Sequence, residues 1–580
     1  MIFFLLHAFF ATGLAFILSW VFGSLTPTIA VISLVIGFWM GRRRARTLSS
    51  VFPDLGFMKF SSGDSGALEA ILTILITYVS LRHFSWLLFE LDAKLMTLHA
   101  NNFGDLPLHI NYIREIANGL SFPPVNPSFA SETLRYPFGP DLYNALWEIL
   151  GVPLSSHLFF VGFACSIASI TVLRWFGGWW ALGAFFLSGG LTGWALLKGL
   201  PISNDLLQGV DWKNLFLSVF ITQRGFLFAL PAGLLLIEAT RRLFLREAKP
   251  SKTVLTTLGL VWGLLPLFHV HAFVIVSLIM GLIAMSTTKS FKGLKQLLVS
   301  RMAKFACVPA IYFILRSSDT FKKSSIVHWD PWWTSSANEA PHFLIQNFGP
   351  WLLLPIGIAI GIWRSKRLTK EAKRVLALEF AIYAGLFVFF FNVMLAPWAW
   401  DNIKILIFPY LGFARLAWVV LDPVIPGFAK YITAFILFFS GFLAIELSLA
   451  PPVNRGLAIY TTPVLGNYAA ALIEVPKGAV FAAAPTHDHP LTYFGRLRAV
   501  GYEGHLWSHG IDYKNKMDLL KTLMGPTADS DIAGRARSLG VTHIIWGAPE
   551  TAFFTTEPVW PANFKNVSRV PSVEIYEVPK

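Results

Sequence analysis

Long apolar runs alternate with polar connectors through the first 450 residues, and then the alternation stops. Runs near 2–22, 27–41, 66–90, 153–173, 178–197, 215–239, 253–268, 270–287, 304–316, 347–363, 375–396, 402–421 and 429–450 read as helices. Most approach the length of about 20 residues that a bilayer core requires. The pattern predicts a polytopic α-helical membrane protein with about 13 spans. Residues 1–41 form an N-terminal transmembrane hairpin in this reading, and 66–450 form the main membrane module. After residue 455 the period changes. The segments 479-AVFAAAP-485, 541-VTHIIWG-547 and 573-VEIYEVP-579 read as strands, and 529-DSDIAGRARSLG-540 reads as a helix. Strand–helix alternation predicts a small α/β domain over 455–580. It holds no Gly-rich nucleotide fingerprint.

Composition agrees with a membrane solvent. Of the 580 residues 55% are hydrophobic and 15% aromatic, with mean hydropathy +0.58; soluble domains run to about 45–50% apolar. The net charge of +14 follows from the excess of Lys and Arg on cytoplasmic loops and calls for no nucleic acid. The clusters 42-RRRAR-46, 241-RRLFLREAK-249, 289-KSFKGLKQ-296 and 364-RSKRLTKEAKR-374 each follow a span. Threading the first of them inside puts the other three inside too. The N-terminus is then cytoplasmic, and the region after 450 is extracytoplasmic, in a multi-pass protein of the plasma (inner) membrane. The first 22 residues lack a basic n-region and a small-residue cleavage site, so they read as a retained helix. Cys165 and Cys307 both fall in apolar spans, which gives no disulfide framework and no cysteine metal site. No internal repeat stands out.

The same threading gathers the long polar segments 91–152, 198–214, 317–346, 397-PWAWDN-402 and the C-terminal region on the outer side. Within 100-ANNFGDLPLHINYIREIANG-119 the apolar positions keep helical spacing. Asp105, just before Pro107, reads as an N-cap or as a functional carboxylate. His109, one turn on, is a structural partner or a ligand. The stretch 140-PDLYNALWEIL-150 predicts a second helix, and both helices are expected to lie on the outer membrane surface. Arg135 either binds a phosphate or pairs with Asp141. Arg82 and Arg224 are expected inside helices toward their outer ends, facing a polar cavity or snorkelling to headgroups. His269 and His271 in 265-LPLFHVHAF-273 mark an outer turn. Asp401 and Lys404 in 398-WAWDNIK-404 are one helical turn apart, either as an ion pair or as a substrate-facing acid and a phosphate-binding cation.

These motifs resemble the GT-C superfamily of membrane glycosyltransferases. The resemblance is carried by the FGDLPLHINYIREIANG loop, RYPFGPDLYNALW, LLPLFHVHAF and WAWDNIK. It covers the whole chain in architecture and only these short motifs in residues, with the 2–41 hairpin as an N-terminal addition. It implies transfer of a sugar from a polyprenyl-phosphate carrier to an extracytoplasmic glycan, lipid or protein acceptor. Asp105 and Asp401 would be the catalytic carboxylates, with Asp105 the first choice of base. His109, Arg82, Arg135, Arg224, His269, His271 and Lys404 would contact substrate. A divalent metal is compatible with this reading and has no assigned ligands. The rival class is a transporter or flippase for a lipid-linked sugar or small solute, which needs polar residues through the membrane depth; Arg415 is the main deep charge.

Overall fold

The computed structural model describes residues 2–191, 193–194, 212, 214–245, 250–288, 292–323, 327–333, 339–395, 399–449, 456–525, 531–555 and 564–579. The described chain is mostly helical. α1 (Ile2–Phe22) and α2 (Pro27–Val51) make a hairpin. The Thr26 hydroxyl caps α2 by accepting from the Ile29 amide, and Pro27 opens the helix. α3 (Gly63–Ser85) stops short of the predicted 66–90 run, whose end turns instead into β1 (Phe89–Leu91), paired with β2 (Lys94–Thr97).

α4 (Asn102–Asn118) and α5 (Gly139–Glu148) follow. Nearly all of α5 is buried, as is most of α4 from Leu106 to Ile116. They are core elements rather than helices resting on a surface. α1 packs on one side of them, with the Tyr143 hydroxyl 3.0 Å from His7 Nδ1. The C-terminal region covers α4 from the other side, as described below.

α6 (Leu154–Phe186) leaves helical geometry at Gly177 and at Gly178 (φ 57°, ψ −148°). The run 153–173 and the described start of 178–197 therefore meet at a kink within α6. Arg174 reaches the Gly56 carbonyl near the start of α3. Phe84, at the other end of α3, and Phe185 both meet Phe220 edge-on. A Cβ at Gly178 would strike the Trp418 ring, and its positive φ suits glycine.

The predicted 215–239 span is broken. A π-helical turn over Phe216–Phe220 ends, Gln223 is extended, and α7 (Arg224–Phe244) starts afresh. α8 (Lys252–Phe268) and α9 (Val270–Thr288) are separated only by His269, whose backbone is extended. α10 (Lys292–Leu298) and α11 (Arg301–Lys323) follow, bent at 67°. β3 (His328–Trp329) comes next, then α12 (Ala340–Phe348), α13 (Leu353–Arg364) and α14 (Lys370–Phe390). β4 (Val393–Met394) pairs with β3, and α15 (Ala399–Val420) and α16 (Gly427–Ser448) complete the bundle. By length and apolarity six described helical segments can cross a bilayer: α1, α3, α6, Ala340–Arg364, Asn402–Val420 and α16. The bent α10–α11 pair makes seven, and α8 and α9 are apolar but shorter.

The basic clusters gather at one end of the bundle. Arg44 donates to the Thr253 carbonyl at 3.4 Å, Arg242 pairs with Asp54 at 2.8 Å, and Arg301 bonds the Thr256 hydroxyl at 2.7 Å. Arg415 is buried toward this end against Glu238 at 3.0 Å and against Glu379 at 2.5 Å, while Arg241 and Arg242 also engage Glu238.

The other end carries α4, α5 and the C-terminal region. β5 (Leu457–Thr461) adds antiparallel to β2, so the region after the last helix pairs directly with the 91–152 loop. Beyond it lie β6 (Val480–Ala482), β7 (Leu497–Arg498), β8 (His543–Gly547), β9 (Lys565–Val570) and β10 (Val573–Glu577). They form a mixed sheet in the order β7-β6-β8-β10-β9, parallel at β7-β6-β8 and antiparallel beyond. Alternation along β8 sends Ile544 into one apolar layer with Leu520 and Ala536, and Ile545 into the opposite layer with Phe481 and Tyr468. The helix Ile532–Ser538 precedes β8.

Candidate functional site

Asp105 lies in the first turn of α4, but it is not the cap: the capping position belongs to Asn101. Its half-buried carboxylate instead accepts a hydrogen bond at Oδ2 from Gln223 Nε2, at 3.1 Å. Gln223 occupies the extended break before α7, and the next residue, Arg224, begins that helix. Arg224 is therefore a helix-start residue rather than one inside a span. It is 2% exposed. A cation at a helix N-terminus opposes the macrodipole, and two carboxylates, Asp141 and Asp105, supply the compensating charge. One Arg224 amine donates to the Ile221 carbonyl at 3.0 Å, while among the described residues its Nε has no hydrogen-bond partner.

Asp141, in the first turn of α5, is fully buried. His109 Nδ1 lies 2.8 Å from its Oδ1. Burial pushes the Asp141 carboxyl above its ordinary range, against the pull of His109 and Arg224. The pairing of Asp141 with Arg135 does not occur. Arg135 sits 3.5 Å from Glu132, and beside it Arg316 donates to the Leu134 carbonyl.

Two glycines let these helix starts meet. A Cβ on Gly225 would lie 2.3 Å from the Phe268 carbonyl oxygen, and one on Gly139 would lie 2.9 Å from that of Leu267. The first turns of α7 and α5 thus press on the last turn of α8, where the chain breaks at His269. His269 Nδ1 accepts from the Ala272 amide at 3.1 Å and caps α9. Lys404 of α15 and His271 lie close enough to His269 to act on its charge, and His271 Nε2 lies 3.2 Å from the Leu395 carbonyl. Lys404 is buried, 6% exposed. Asn402 fixes the preceding turn by bonding the Leu395 amide and the Phe390 and Val393 carbonyls. The Asp401 side chain lies outside the described residues.

Of the residues picked from sequence, Asp105, Arg224, His269, His271 and Lys404 fall in or beside the first two turns of their helices, and His109, in the middle of α4, joins them through Asp141 at the start of α5. Arg82 does not join them by any described contact. It stacks on Trp86 at 4.5 Å at the end of α3, next to His83, which meets Ser448 of α16.

The C-terminal region docks over α4. Arg114 donates to the Tyr493 carbonyl at 2.7 Å and also pairs with Glu148, Asn118 bonds the Phe494 carbonyl, and Ser128 accepts from the Gly501 amide. The His509 ring lies 4.7 Å from Tyr136, which is 6.0 Å from His109, and His487 meets Phe103 at 4.9 Å. His505 sits among His509, His487, Arg498 and His109, and burial, reinforced by these neighbours, lowers its pKa to about 3. Sequence reading missed Gln223, Tyr136 and these histidines. One signal was available: five of the 14 histidines (His487, His489, His505, His509, His543) fall in the C-terminal region. Behind the docked face, Glu115 is 1% exposed; burial pushes its carboxyl up to about 8, with only partial help from the Val125 amide.

A divalent metal finds no ligand set here. Among the described residues no three His, Cys, Asp or Glu side chains converge on one point. Asp105, the natural candidate, faces an amide and a guanidinium instead. The chain matches no protein-family model and no curated protein sequence.

Proposed function

We propose that the chain is a GT-C-type membrane glycosyltransferase that moves a sugar from a polyprenyl-phosphate carrier to an extracytoplasmic acceptor. In this reading about 13 segments cross the bilayer, the N-terminus is cytoplasmic, and 455–580 is an extracytoplasmic α/β domain. The observation that supports it most is a half-buried carboxylate, Asp105, held by Gln223 and near enough to the buried, incompletely bonded guanidinium of Arg224 to act on its charge. A nucleophile's proton and a departing phosphate require opposite charges side by side.

The acceptor hydroxyl oxygen attacks the anomeric carbon of the donor sugar and passes its proton to Asp105. The bond from that carbon to the phosphate oxygen breaks, and the carrier phosphate leaves with the electron pair. Gln223 holds one carboxylate oxygen and so aims the base. Arg224 and Lys404 stabilise the charge that develops on the phosphate. The His109–Asp141 pair acts as a positioning element that keeps α4 and α5 in register under the site. Arg82 and Arg135 serve the lipid headgroup region at the periphery.

Asp105→Asn tests the base directly. Asparagine preserves size and can still accept from Gln223, but it cannot take a proton. Transfer from lipid-linked sugar in reconstituted membranes should fall on the order of 10²–10⁴-fold, with thermal stability unchanged. A stable variant with normal turnover would sink the assignment.

Transport draws on one specific observation, the buried Arg415. Its charge is neutralised within the set Glu238, Glu379, Arg241, Arg242 and Asp54 at the basic end. Such a closed network favours a structural joint over a moving charge pathway.

A further inference from the structure

α13 and α14 form a helical hairpin at the basic end of the bundle, and the two helices do not close against each other there. Between them lies an open groove of about 640 Å³, lined by Ala359, Ile362, Trp363, Ala377 and Phe380, with Lys373 and Arg374 at its mouth. On the same helices Leu353, Ile356, Trp363 and Val388 are exposed to between 58% and 74%, apolar surface that only hydrocarbon would cover in a bilayer-spanning bundle. Arg367 donates to the Pro423 carbonyl, which ties this hairpin to the turn before α16.

Its charge is one-sided. From Arg364 to Arg374 the hairpin carries Arg364, Lys366, Arg367, Lys370, Lys373 and Arg374 against the single acid Glu371. Glu371 is 4.0 Å from Arg374, a weak and solvated pair. Lys373 Nζ is held by the Trp363 carbonyl at 2.9 Å, and the Arg364 guanidinium stacks over the Trp363 ring at 5.7 Å. Lys373 is thus fixed to the main chain of Trp363 and Arg364 to its indole, where apolar helix surface gives way to polar loop. Among the described residues neither Lys366 nor Lys370 has an anionic partner.

We infer that the α13–α14 groove is a binding site for an anionic phospholipid of the surrounding bilayer. An acyl chain lies along Ile362, Ala377 and Phe380, and the phosphodiester sits between Lys373 and Arg374 under the Trp363 ring. Neither half of the groove suffices alone. A purely apolar groove takes any lipid, and a purely basic loop holds a diffuse layer; a cationic lip on an apolar groove selects for lipids that carry both features. The site is at the opposite end of the bundle from Asp105 and does not depend on the glycosyltransferase reading.

The test uses the full chain in nanodiscs with brominated acyl lipids, which quench nearby indoles. Brominated phosphatidylglycerol should produce a saturable quenching component that Trp363→Phe removes, at a mole fraction roughly tenfold lower than brominated phosphatidylcholine. Arg374→Gln, a half-exposed position that folding should tolerate, should erase most of that difference, and Arg374→Lys should restore it. Equal quenching by the two lipids in wild type would overturn the proposal. So would a phosphatidylglycerol preference untouched by both Trp363→Phe and Arg374→Gln, because the lipid would then bind elsewhere.

Discussion

Replacing Gly225 by alanine tests how the site is held together without touching any reacting group. The added Cβ would lie 2.3 Å from the Phe268 carbonyl oxygen and 3.4 Å from the His269 ring. The obstacle is backbone at the end of α8, so α7 must withdraw by about 1 Å, since it cannot relieve the clash by a rotamer change. Overpacking of this kind costs about 1–3 kcal/mol, offset by the 0.5–1 kcal/mol or so that alanine contributes over glycine inside a helix. The net destabilisation is at most about 2.5 kcal/mol. The functional loss should be larger. Gln223 and Arg224 directly precede the shifted residue, and misplacement of a catalytic constellation by about 1 Å can lower the rate roughly 10²-fold. The control is Gly385→Ala on α14, where nothing lies within 4 Å of the new Cβ. It should be neutral or slightly stabilising and fully active. Thermal unfolding and sugar transfer measured on the three proteins decide the matter. If Gly225→Ala matched Gly385→Ala in both, the contact between α7 and the α8–α9 break would not be what positions the site.

Glu115 gives a pH signature. Its folded pKa of about 8 lies above the ordinary 4.5, so the folded state keeps a proton that the unfolded state releases. Its contribution is full below about pH 4.5 and is lost as pH rises through 8, an effect of at most about 5 kcal/mol; Glu115→Gln should flatten unfolding stability between pH 5 and 9, and an identical slope in both proteins would contradict the burial argument. Arg224→Ala and Lys404→Ala should each weaken a polyprenyl-phosphate analogue by about 1.5–3 kcal/mol in a binding titration, with unchanged affinity in both removing them from the phosphate site. A reporter fused after Lys580 should be active only outside the cytoplasm and one after Lys249 only inside; a cytoplasmic C-terminus would overturn the orientation drawn from the basic clusters.

Apolar runs located most of the long helices, because the length and apolarity of a segment are local properties. The runs at 2–22 and 429–450 reappear almost to the residue as α1 and α16. Basic runs marked one end of the bundle for a similar reason, since charge placement is also a property of each connector. The strands at 480–482, 543–547 and 573–577 fall inside the short runs 479–485, 541–547 and 573–579 that read as strands. The breaks and the partners were not legible. Nothing local in 215–239 announces that α7 restarts at Arg224, and local pattern left Asp105 open between a cap and a functional carboxylate and Arg135 open between a phosphate ligand and a partner for Asp141. Those outcomes depend on contacts between residues far apart in the chain: 105 with 223, 109 with 141, and 136 with 509. Such pairs form only because glycine lets the starts of α5 and α7 rest on the carbonyls that end α8, and because the C-terminal region closes over α4. Side-chain types and element periods are written along the chain; which charge meets which is decided by how helix ends abut, and that is a property of the packed whole.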